Sequence, residues 1–206
     1  TIIGYHGITR EITERKRMQD EVQQLALYDS LTKLPNRHLL NDRLDQALAA
    51  NRRKACYGAL MFIDLDNFKP LNDEHGHFAG DLVLIEVADR LKNCVRKMDT
   101  VARFGGDEFM VVLTELNVDK AKSKSQAEAV AKNICSALSA TYSVKLKREG
   151  EAEVSIEHHC SASIGVVLFS DHAGNQDDIL IWADKAMYQA KDAGRNAIRF
   201  YEAEAS

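Results

Sequence analysis

The alternation of apolar and polar stretches along the chain predicts a sheet with helices on its faces. Residues 57–63 (YGALMFI) form an apolar run too short for a helix, which is typical of a strand buried on both faces. Residues 100–104 and 108–113 predict two short strands, joined through Gly105 and Gly106 in a tight hairpin. Four later stretches also have strand character: 142–147, 153–159, 161–169 and 197–201.

Apolar residues spaced three and four apart predict four helices between these strands. They cover about 37–51, 81–97, 125–139 and 177–193. Pro35 suits a first helical position, and Gly194 suits the C-cap of the last helix. The order α β α β β α β β β α β indicates an α/β or α+β sheet flanked by helices, and not a bundle or a sandwich.

The first 28 residues differ in character from the rest of the chain. Residues 1–9 read as a short β-rich end of something upstream, and residues 10–28 are charged and helical. Met18, Val22 and Leu25 have the spacing of a heptad seam. Two interpretations stay open: an amphipathic helix packed on its own domain, or a dimeric signalling coiled coil.

Composition excludes several classes of protein. The chain has 206 residues, 45% hydrophobic and 28% charged, with a formal net charge of −4. That charge gives no basic footprint, so we expect no nucleic-acid polymer as a partner. The four cysteines form no CxxC pair, and no apolar run approaches the roughly 20 residues of a membrane helix. We therefore expect a cytoplasmic location for this part of a protein that could itself be membrane-attached.

Three polar segments carry candidate chemistry. The first is FIDLD, where Asp64 and Asp66 end the apolar strand and point to the same side. Buried acids are costly unless they are paired or bound to a cation. This segment is therefore either a metal site or a solvated strand end that caps the next helix.

The second segment is RFGGDEF, residues 103–109, which places Asp107 and Glu108 at the predicted hairpin. The glycines let a ligand approach the backbone. Alone, this is an ordinary charged hairpin. Together with Asp64, it supplies carboxylates from two strands, as a magnesium-dependent nucleotidyl transferase requires.

The third segment, residues 67–81 (NFKPLNDEHGHFAGD), places Asn72, His77 and Asp81 near one helix start. A carboxylate accepts two hydrogen bonds from a guanine edge, and an amide side chain supplements it. The alternative is a long loop whose Asp81 caps the following helix.

Five motifs occur in order: DSLTKLPNR, FIDLDNFKPLNDEHGHFAGD, RFGGDEF, ASIG and ADKAMYQAKDAGRN. Together they resemble the GGDEF domain of diguanylate cyclases, over about residues 29–201. Lys33 stands where that family often has glycine. The resemblance implies a palm-like fold with a central, mostly antiparallel sheet, related to nucleotidyl cyclase and polymerase palm domains.

The resemblance also implies roles for individual residues. Asp64, the carbonyl of Leu65 and Asp107 would bind Mg²⁺, which Mn²⁺ could replace. Asp107, Glu108 and Lys69 would serve catalysis. The residues expected to bind GTP are Phe68, Asn72, His77, Asp81, Lys191 and Arg195. Arg96 and Asp99 form an RxxD pattern, which in the family is an inhibitory site for the product, cyclic di-GMP.

The implied reaction joins two GTP molecules held by two domains, so a homodimer is expected. Residues 1–28 resemble the end of a PAS sensor and its signalling helix, and residues 29–206 form the catalytic domain. The closing stretch, GRNAIRFYEAEAS, resembles the junction to an EAL phosphodiesterase domain. Two other functions stay open: a module that binds GTP or cyclic di-GMP without turnover, and another nucleotidyl cyclase. The acids argue against the former, and Asn72 with Asp81 argues against the latter.

Overall fold

The computed structural model describes residues 25–146, 154–170 and 174–202, and these residues form one mixed sheet with helices on both faces. The helices are α1 (Arg37–Lys54), α2 (Phe68–His75), α3 (His77–Cys94), α4 (Lys120–Ser139) and α5 (Gln176–Asp192). The strands are β1 (Gly58–Asp66), β2 (Thr100–Gly105), β3 (Glu108–Leu113), β4 (Tyr142–Leu146), β5 (Val154–His158), β6 (Ser161–Phe169) and β7 (Ile198–Phe200). The strand order in the mixed sheet is β2-β3-β1-β6-β7, and β4 and β5 form a separate two-stranded sheet.

Strand β1 is the centre of the fold, and all nine of its residues are buried. It pairs antiparallel with β3 on one side and with β6 on the other, while β7 adds in parallel to β6. Met61 and Ile63 pack into the core under α3 and α4, whereas Leu60 and Phe62 pack into the core under α1 and α5. Strand alternation therefore confirms burial on both faces and places Asp64 and Asp66 on the α5 side.

The segment between β1 and α3 forms a helix, although one interpretation of the sequence was a long loop. Residues Phe68–His75 form α2, and α3 begins at His77 with Gly76 as its N-cap. Asp81 lies one turn inside α3, so the interpretation of Asp81 as a cap is wrong. The element order gains one helix over the predicted one.

The start of α1 also differs from the prediction. Asn36 is the N-cap, and its side chain accepts hydrogen bonds from the amides of His38 and Leu39. Pro35 precedes the cap instead of taking the first helical position. Its carbonyl accepts a hydrogen bond from the amide of Arg103 at 3.0 Å, which joins this turn to β2.

The predicted upstream segment, including its heptad positions Met18 and Val22, lies outside the described residues, apart from a short helical end at residues 25–27. Gly194 adopts the left-handed conformation after α5, with φ of 107°. Within the described ranges, no helix has the length and apolarity needed to cross a membrane.

Candidate active site

The candidate site begins with two carboxylates that face each other across adjacent strands. Asp64 of β1 and Glu108 of β3 are directly opposite in the antiparallel register. Like charges at such positions repel each other. Asp107 precedes Glu108 at the end of the Gly105–Gly106 turn, so a third acid adjoins the pair.

A lysine from the last turn of α5 balances part of this charge. Lys191 Nζ lies 2.8 Å from Asp64 Oδ2. Lys191 was predicted from the sequence to bind phosphate and Asp64 to bind metal, and the structure places the two side chains in contact. Arg195, on the turn that follows α5, is exposed.

The electrostatics of the acids indicate an excess of negative charge. Burial raises the pKa of Asp64 above its ordinary value, and the charges of Asp107 and Asp66 add to this against the effect of Lys191. Burial also raises the pKa of Glu108, and the neighbouring carboxylates, Asp64 first among them, raise it further. One ammonium group therefore leaves the cluster short of positive charge.

These acids fit a divalent cation that arrives with a nucleotide. Among residues 25–146, 154–170 and 174–202, no group of three or more His, Cys, Asp or Glu side chains is arranged to hold a metal ion by itself. Mg²⁺ commonly takes one or two protein carboxylates and fills its other positions with water and substrate phosphates. The carbonyl of Leu65 adjoins Asp64, and the Leu65 amide donates to the Asp107 carbonyl at 3.3 Å. That bond ties the two predicted ligand segments together.

Arg103 braces the hairpin that carries Asp107. Its Nε and Nη2 atoms donate to the carbonyl of Gly106 at 3.0 and 2.7 Å. Its Nη1 atom forms an ion pair with Asp29, whose Oδ1 also accepts from the amide and the hydroxyl of Thr32. The turn before α1 is therefore fastened to the hairpin.

The predicted base-binding residues lie on α2 and α3. His77 and Asp81 are exposed and one helical turn apart, so they share a face of α3. Asn72 on α2 is half-buried, and a Cβ placed on Gly80 would come within 2.0 Å of its Oδ1 atom. The bare backbone of Gly80 thus makes the room in which the Asn72 side chain lies.

Two further predicted residues of α2 lie in contrasting positions. Lys69 is exposed at the start of the helix. Phe68 belongs to the core, with 7% of its surface exposed, and its ring lies beneath Gly80. Its predicted contact with substrate stays a prediction, while its packing supports the α2–α3 corner.

The predicted inhibitory pair is joined by its own hydrogen bonds. Arg96 Nε lies 3.1 Å from Asp99 Oδ2, and Arg96 Nη2 donates to the Thr114 carbonyl at 3.0 Å. Asp99 also accepts from the amide of Thr114 at 3.1 Å. The Asp99 side chain is 1% exposed and that of Arg96 is 53% exposed. Arg96 therefore presents the outward face of this pair, along a groove of about 460 Å³ that Lys92 and Lys97 also line.

Comparison with known proteins identifies the family. The family described as "Diguanylate cyclase, GGDEF domain" matches residues 26–197. The chain belongs to this GGDEF family. It is 43% identical over 190 residues to MucR of Pseudomonas aeruginosa, which is named a bifunctional diguanylate cyclase/cyclic di-GMP phosphodiesterase. The matched region is 92% of this chain and 26% of MucR. It is 39% identical over 189 residues to the diguanylate cyclase TpbB of the same species, covering 90% of this chain and 40% of TpbB.

Solved GGDEF structures share the palm-like fold. A TpbB structure comprising only the GGDEF domain superimposes with a TM-score of 0.73 at 39% identity, covering 85% of this chain and 94% of the other. The coiled coil and GGDEF domain of DgcB from Caulobacter crescentus, in complex with c-di-GMP, gives a TM-score of 0.77 at 26% identity. That match covers 95% of this chain and 96% of the DgcB chain.

The sequence did not predict a role for Asp29 or Arg103 of this GGDEF domain, and it did not predict the contacts of Asp66. Asp29 and Arg103 belong to two of the five motifs, but 74 positions separate them, so their ion pair is not visible in the sequence. Asp66 was grouped with Asp64 as a metal or cap candidate. In the structure its carboxylate accepts hydrogen bonds from Ser161 and Ser163, so it is neither solvated nor the cap of α2. A side-chain pattern alone carries no signal for such contacts.

Proposed function

We propose that this GGDEF domain condenses two GTP molecules into cyclic di-GMP and two pyrophosphates. The observation that carries the proposal is the facing pair of Asp64 and Glu108, with Lys191 Nζ 2.8 Å from Asp64 and with Asp107 in the adjoining turn. When bound, Mg²⁺ or Mn²⁺ would neutralise phosphate charge and lower the pKa of the attacking hydroxyl.

The chain's own cations support the handling of a triphosphate. Lys191 and Arg195 would hold the terminal phosphates from the end of α5, and Lys69 would stabilise charge from the start of α2. Lys191 is already beside the acids, and Arg195 and Lys69 are exposed. Binding a triphosphate would therefore exchange one ion pair for several.

The α2–α3 corner supports guanine as the base. Asp81 would accept the N1–H and the exocyclic amine together, and Asn72 would supply a further hydrogen bond. His77, which shares a helix face with Asp81, would lie against the nucleotide. Adenine offers no donor at N1, so the same constellation would leave the Asp81 carboxylate without a partner and reject ATP.

The reaction itself needs two loaded domains. Each 3′-hydroxyl would form a bond to the α-phosphorus of the opposite GTP, pyrophosphate would leave, and the hydroxyl proton would be released to solvent. One domain thus carries half of a reaction centre, and catalysis is mainly positioning. We propose a homodimer for this reason, so turnover per chain should rise with protein concentration and level off once the dimer is saturated.

Feedback by the product is part of the proposal. The Arg96 guanidinium would bind phosphate and guanine of cyclic di-GMP in a two-pronged contact. In the relative DgcB, a solved structure is described as a complex with c-di-GMP. Asp99 would contribute after one of its present hydrogen bonds is exchanged for one from the ligand.

The test is incubation of the purified chain with GTP and Mg²⁺, followed by chromatography of the nucleotides. Cyclic di-GMP should form from GTP and no cyclic dinucleotide from ATP. Asp64→Asn and Asp107→Ala should each abolish turnover while the circular dichroism spectrum is unchanged, because each removes a carboxylate of the site and no apolar core side chain. Near-normal turnover in either folded variant would contradict the assignment of the acids.

A second function has one observation in its favour. A relative in Escherichia coli, PdeR, is 36% identical over 186 residues and is named a cyclic di-GMP phosphodiesterase. A GGDEF domain that binds GTP or cyclic di-GMP and regulates a neighbouring domain would bind nucleotide without forming product. Binding of GTP by calorimetry, without turnover in the chromatographic assay, would favour this function.

A further inference from the structure

Asp66 ends β1 two positions after Asp64 and is 2% exposed. Its Oδ1 atom accepts from the Ser163 hydroxyl at 2.7 Å, and its Oδ2 atom accepts from the Ser161 hydroxyl at 2.6 Å. A third donor is the backbone amide of Asn196, 3.0 Å from Oδ2. Both oxygens of this carboxylate are therefore used inside the protein, on the same side of β1 as the site acids.

The third donor belongs to an unusual turn. Gly194, Arg195 and Asn196 have φ values of 107°, 63° and 44°, so three consecutive residues lie in the left-handed region. Glycine adopts this region freely, whereas arginine does so at a cost in free energy. A backbone in this conformation persists only when surrounding contacts over-determine it.

Contacts from two directions hold the turn. The amides of Gly194 and Arg195 donate back to the carbonyls of Lys191 and Ala190, both at 3.2 Å, and so bind the turn to the end of α5. The Asn196 amide donates to Asp66 and so binds the turn to β1. Ala197, which follows the turn, accepts from the Ile164 amide of β6 at 2.9 Å, so the turn lies between two attached ends. Within residues 194–196 themselves, the bond to Asp66 is the backbone contact that joins the turn to β1.

The end of β1 thus holds the end of α5 at two points. Asp64 holds the side chain of Lys191 by an ion pair in which 27% of the lysine and 11% of the aspartate side chain are exposed, and Asp66 holds the backbone of Asn196 by a part-buried hydrogen bond. A cation or phosphate that enters the site competes for the first contact. The second contact ends on a carboxylate that is 2% exposed and whose two oxygens already accept hydrogen bonds from the protein, so it persists while ligands exchange.

We infer that Asp66 is a positioning residue, which holds residues 194–196 so that Arg195 can join Lys191 in binding a polyphosphate. The inference rests on the proposed function for the class of ligand that these two cations take. It assigns no contact between Asp66 and the ligand. Asp66 acts through the Asn196 amide alone.

The experiment uses inorganic tripolyphosphate as the probe, with calorimetry and without divalent cations, so that only the protein's own groups bind it. Arg195→Ala should weaken binding about tenfold, the size of one charge-assisted contact. Asp66→Ala removes the oxygen to which the Asn196 amide donates, and should weaken binding at least about threefold. The double variant should bind no more weakly than Arg195→Ala, because both changes remove the same contact.

Ser161→Ala is the matched control, since it deletes a donor to the same oxygen and leaves the turn attached. It should lower the urea midpoint but keep tripolyphosphate affinity within about twofold. If the losses of tripolyphosphate affinity add in the double variant, or if Ser161→Ala loses as much affinity as the Asp66 variant, Asp66 contributes only to stability. Either result would overturn the inference.

If Asp66→Ala does not fold, a measurement on the unaltered chain still tests the inference. The Asn196 amide should exchange with deuterium as slowly as amides of β1, although it lies in a surface turn. Exchange as fast as that of an exposed loop amide would overturn the inference. The cyclase assay stands apart from both tests: an inactive chain with the expected binding pattern refutes the proposed reaction and leaves the role of Asp66 in place.

Discussion

Arg103 binds Asp29 through Nη1, 3.1 Å from Oδ1 and 3.3 Å from Oδ2, across 74 positions of sequence. The same guanidinium donates to the carbonyl of Gly106 in the turn before Asp107. Because both side chains are largely buried, with 13% of Arg103 and 21% of Asp29 exposed, this ion pair is weakly screened by solvent. The contact carries a stability prediction with a definite dependence on pH.

Asp29→Asn should lower the free energy of unfolding by about 1–3 kcal/mol at pH 7, because it removes charge-assisted hydrogen bonds to Arg103 and Thr32. Burial alone would raise the pKa of Asp29, but the bonds from Thr32 and Arg103 outweigh it and lower that pKa. The stabilisation is therefore complete above about pH 5, about one unit above the ordinary aspartate pKa, and is lost as pH falls through the lowered folded-state pKa of Asp29. Urea unfolding of both proteins between about pH 3 and about pH 7 measures the difference.

A surface ion pair gives the control for that measurement. Asp89 lies 3.4 Å from Lys92, and both side chains are about half exposed or more. Asp89→Asn should change stability by less than about 0.5 kcal/mol. A pH-independent loss in Asp29→Asn would show that Asp29 contributes by packing and not by its charge.

Lys33 has a φ of 58°, and this is the position where the family often has glycine. A lysine in the left-handed region costs about 1 kcal/mol relative to glycine. The hydrogen bond from Lys33 Nζ to the Ser30 carbonyl is exposed and therefore offsets little of that cost. Lys33→Gly should therefore stabilise the domain by up to about 1 kcal/mol, after the entropy that glycine gains in the unfolded chain. Lys33→Ala removes the same side-chain contact but keeps the strained φ, so it should give no gain; equal midpoints for the two variants would contradict the argument.

Gly80→Ala should weaken GTP binding without unfolding the domain. The new Cβ would come within 2.0 Å of Asn72 Oδ1, which is the end of a movable side chain, so Asn72 would swing away from its place. Loss of one base contact should cost about tenfold in the affinity for a non-hydrolysable GTP analogue. Asn72→Ala should give a similar loss, and the double variant should lose no more.

Gly165 supplies the contrasting glycine substitution. A Cβ there would lie 2.1 Å from the Ala183 carbonyl and 2.2 Å from the Met187 amide, both of them backbone atoms of α5. Gly165→Ala should force α5 from the sheet and cost about 3 kcal/mol or more. If Gly80→Ala destabilised as strongly in urea, its effect on GTP binding would be global and not specific to Asn72.

Arg96→Ala should weaken binding of cyclic di-GMP by at least about tenfold, because it removes a two-pronged contact to charged groups. GTP turnover at low product concentration should be retained, because the contacts of Arg96 are with Asp99 and Thr114 and not with the carboxylates of the candidate active site. Lys97→Ala removes an equal charge from the same groove and is the matched control. Equal effects of the two variants would indicate general attraction of an anion and would refute the RxxD site.

Much of this fold follows from local pattern. Burial of β1 on both faces follows from its apolar run, and the hairpin follows from the paired glycines. Helix α2 escaped prediction because it has eight residues, a proline at its third position and only two buried residues, Phe68 and Leu71. An element that short shows no full helical period.

The site was predictable as a set of residue types, and not as a set of contacts. That Asp64 and Glu108 face each other depends on the register of two strands, and that Lys191 reaches Asp64 depends on how α5 packs at Gly165. Asp64 and Asp66 are chemically identical in the sequence. Their environments separate them: one acid faces a lysine and two further carboxylates, and the other is enclosed by hydroxyls and an amide.

The central position of β1 also has a consequence for synthesis on the ribosome. Its partner β6 begins at Ser161, almost a hundred positions after the end of β1 at Asp66. At about 5–20 residues per second, the emerging chain exposes one unpaired edge of an apolar strand for roughly 5–20 seconds. Such an edge readily pairs with another chain. Nascent chains that stop before β6 should therefore associate with chaperones or aggregate, whereas chains that extend through α5 should escape, which ribosome-stalled fragments of graded length would reveal.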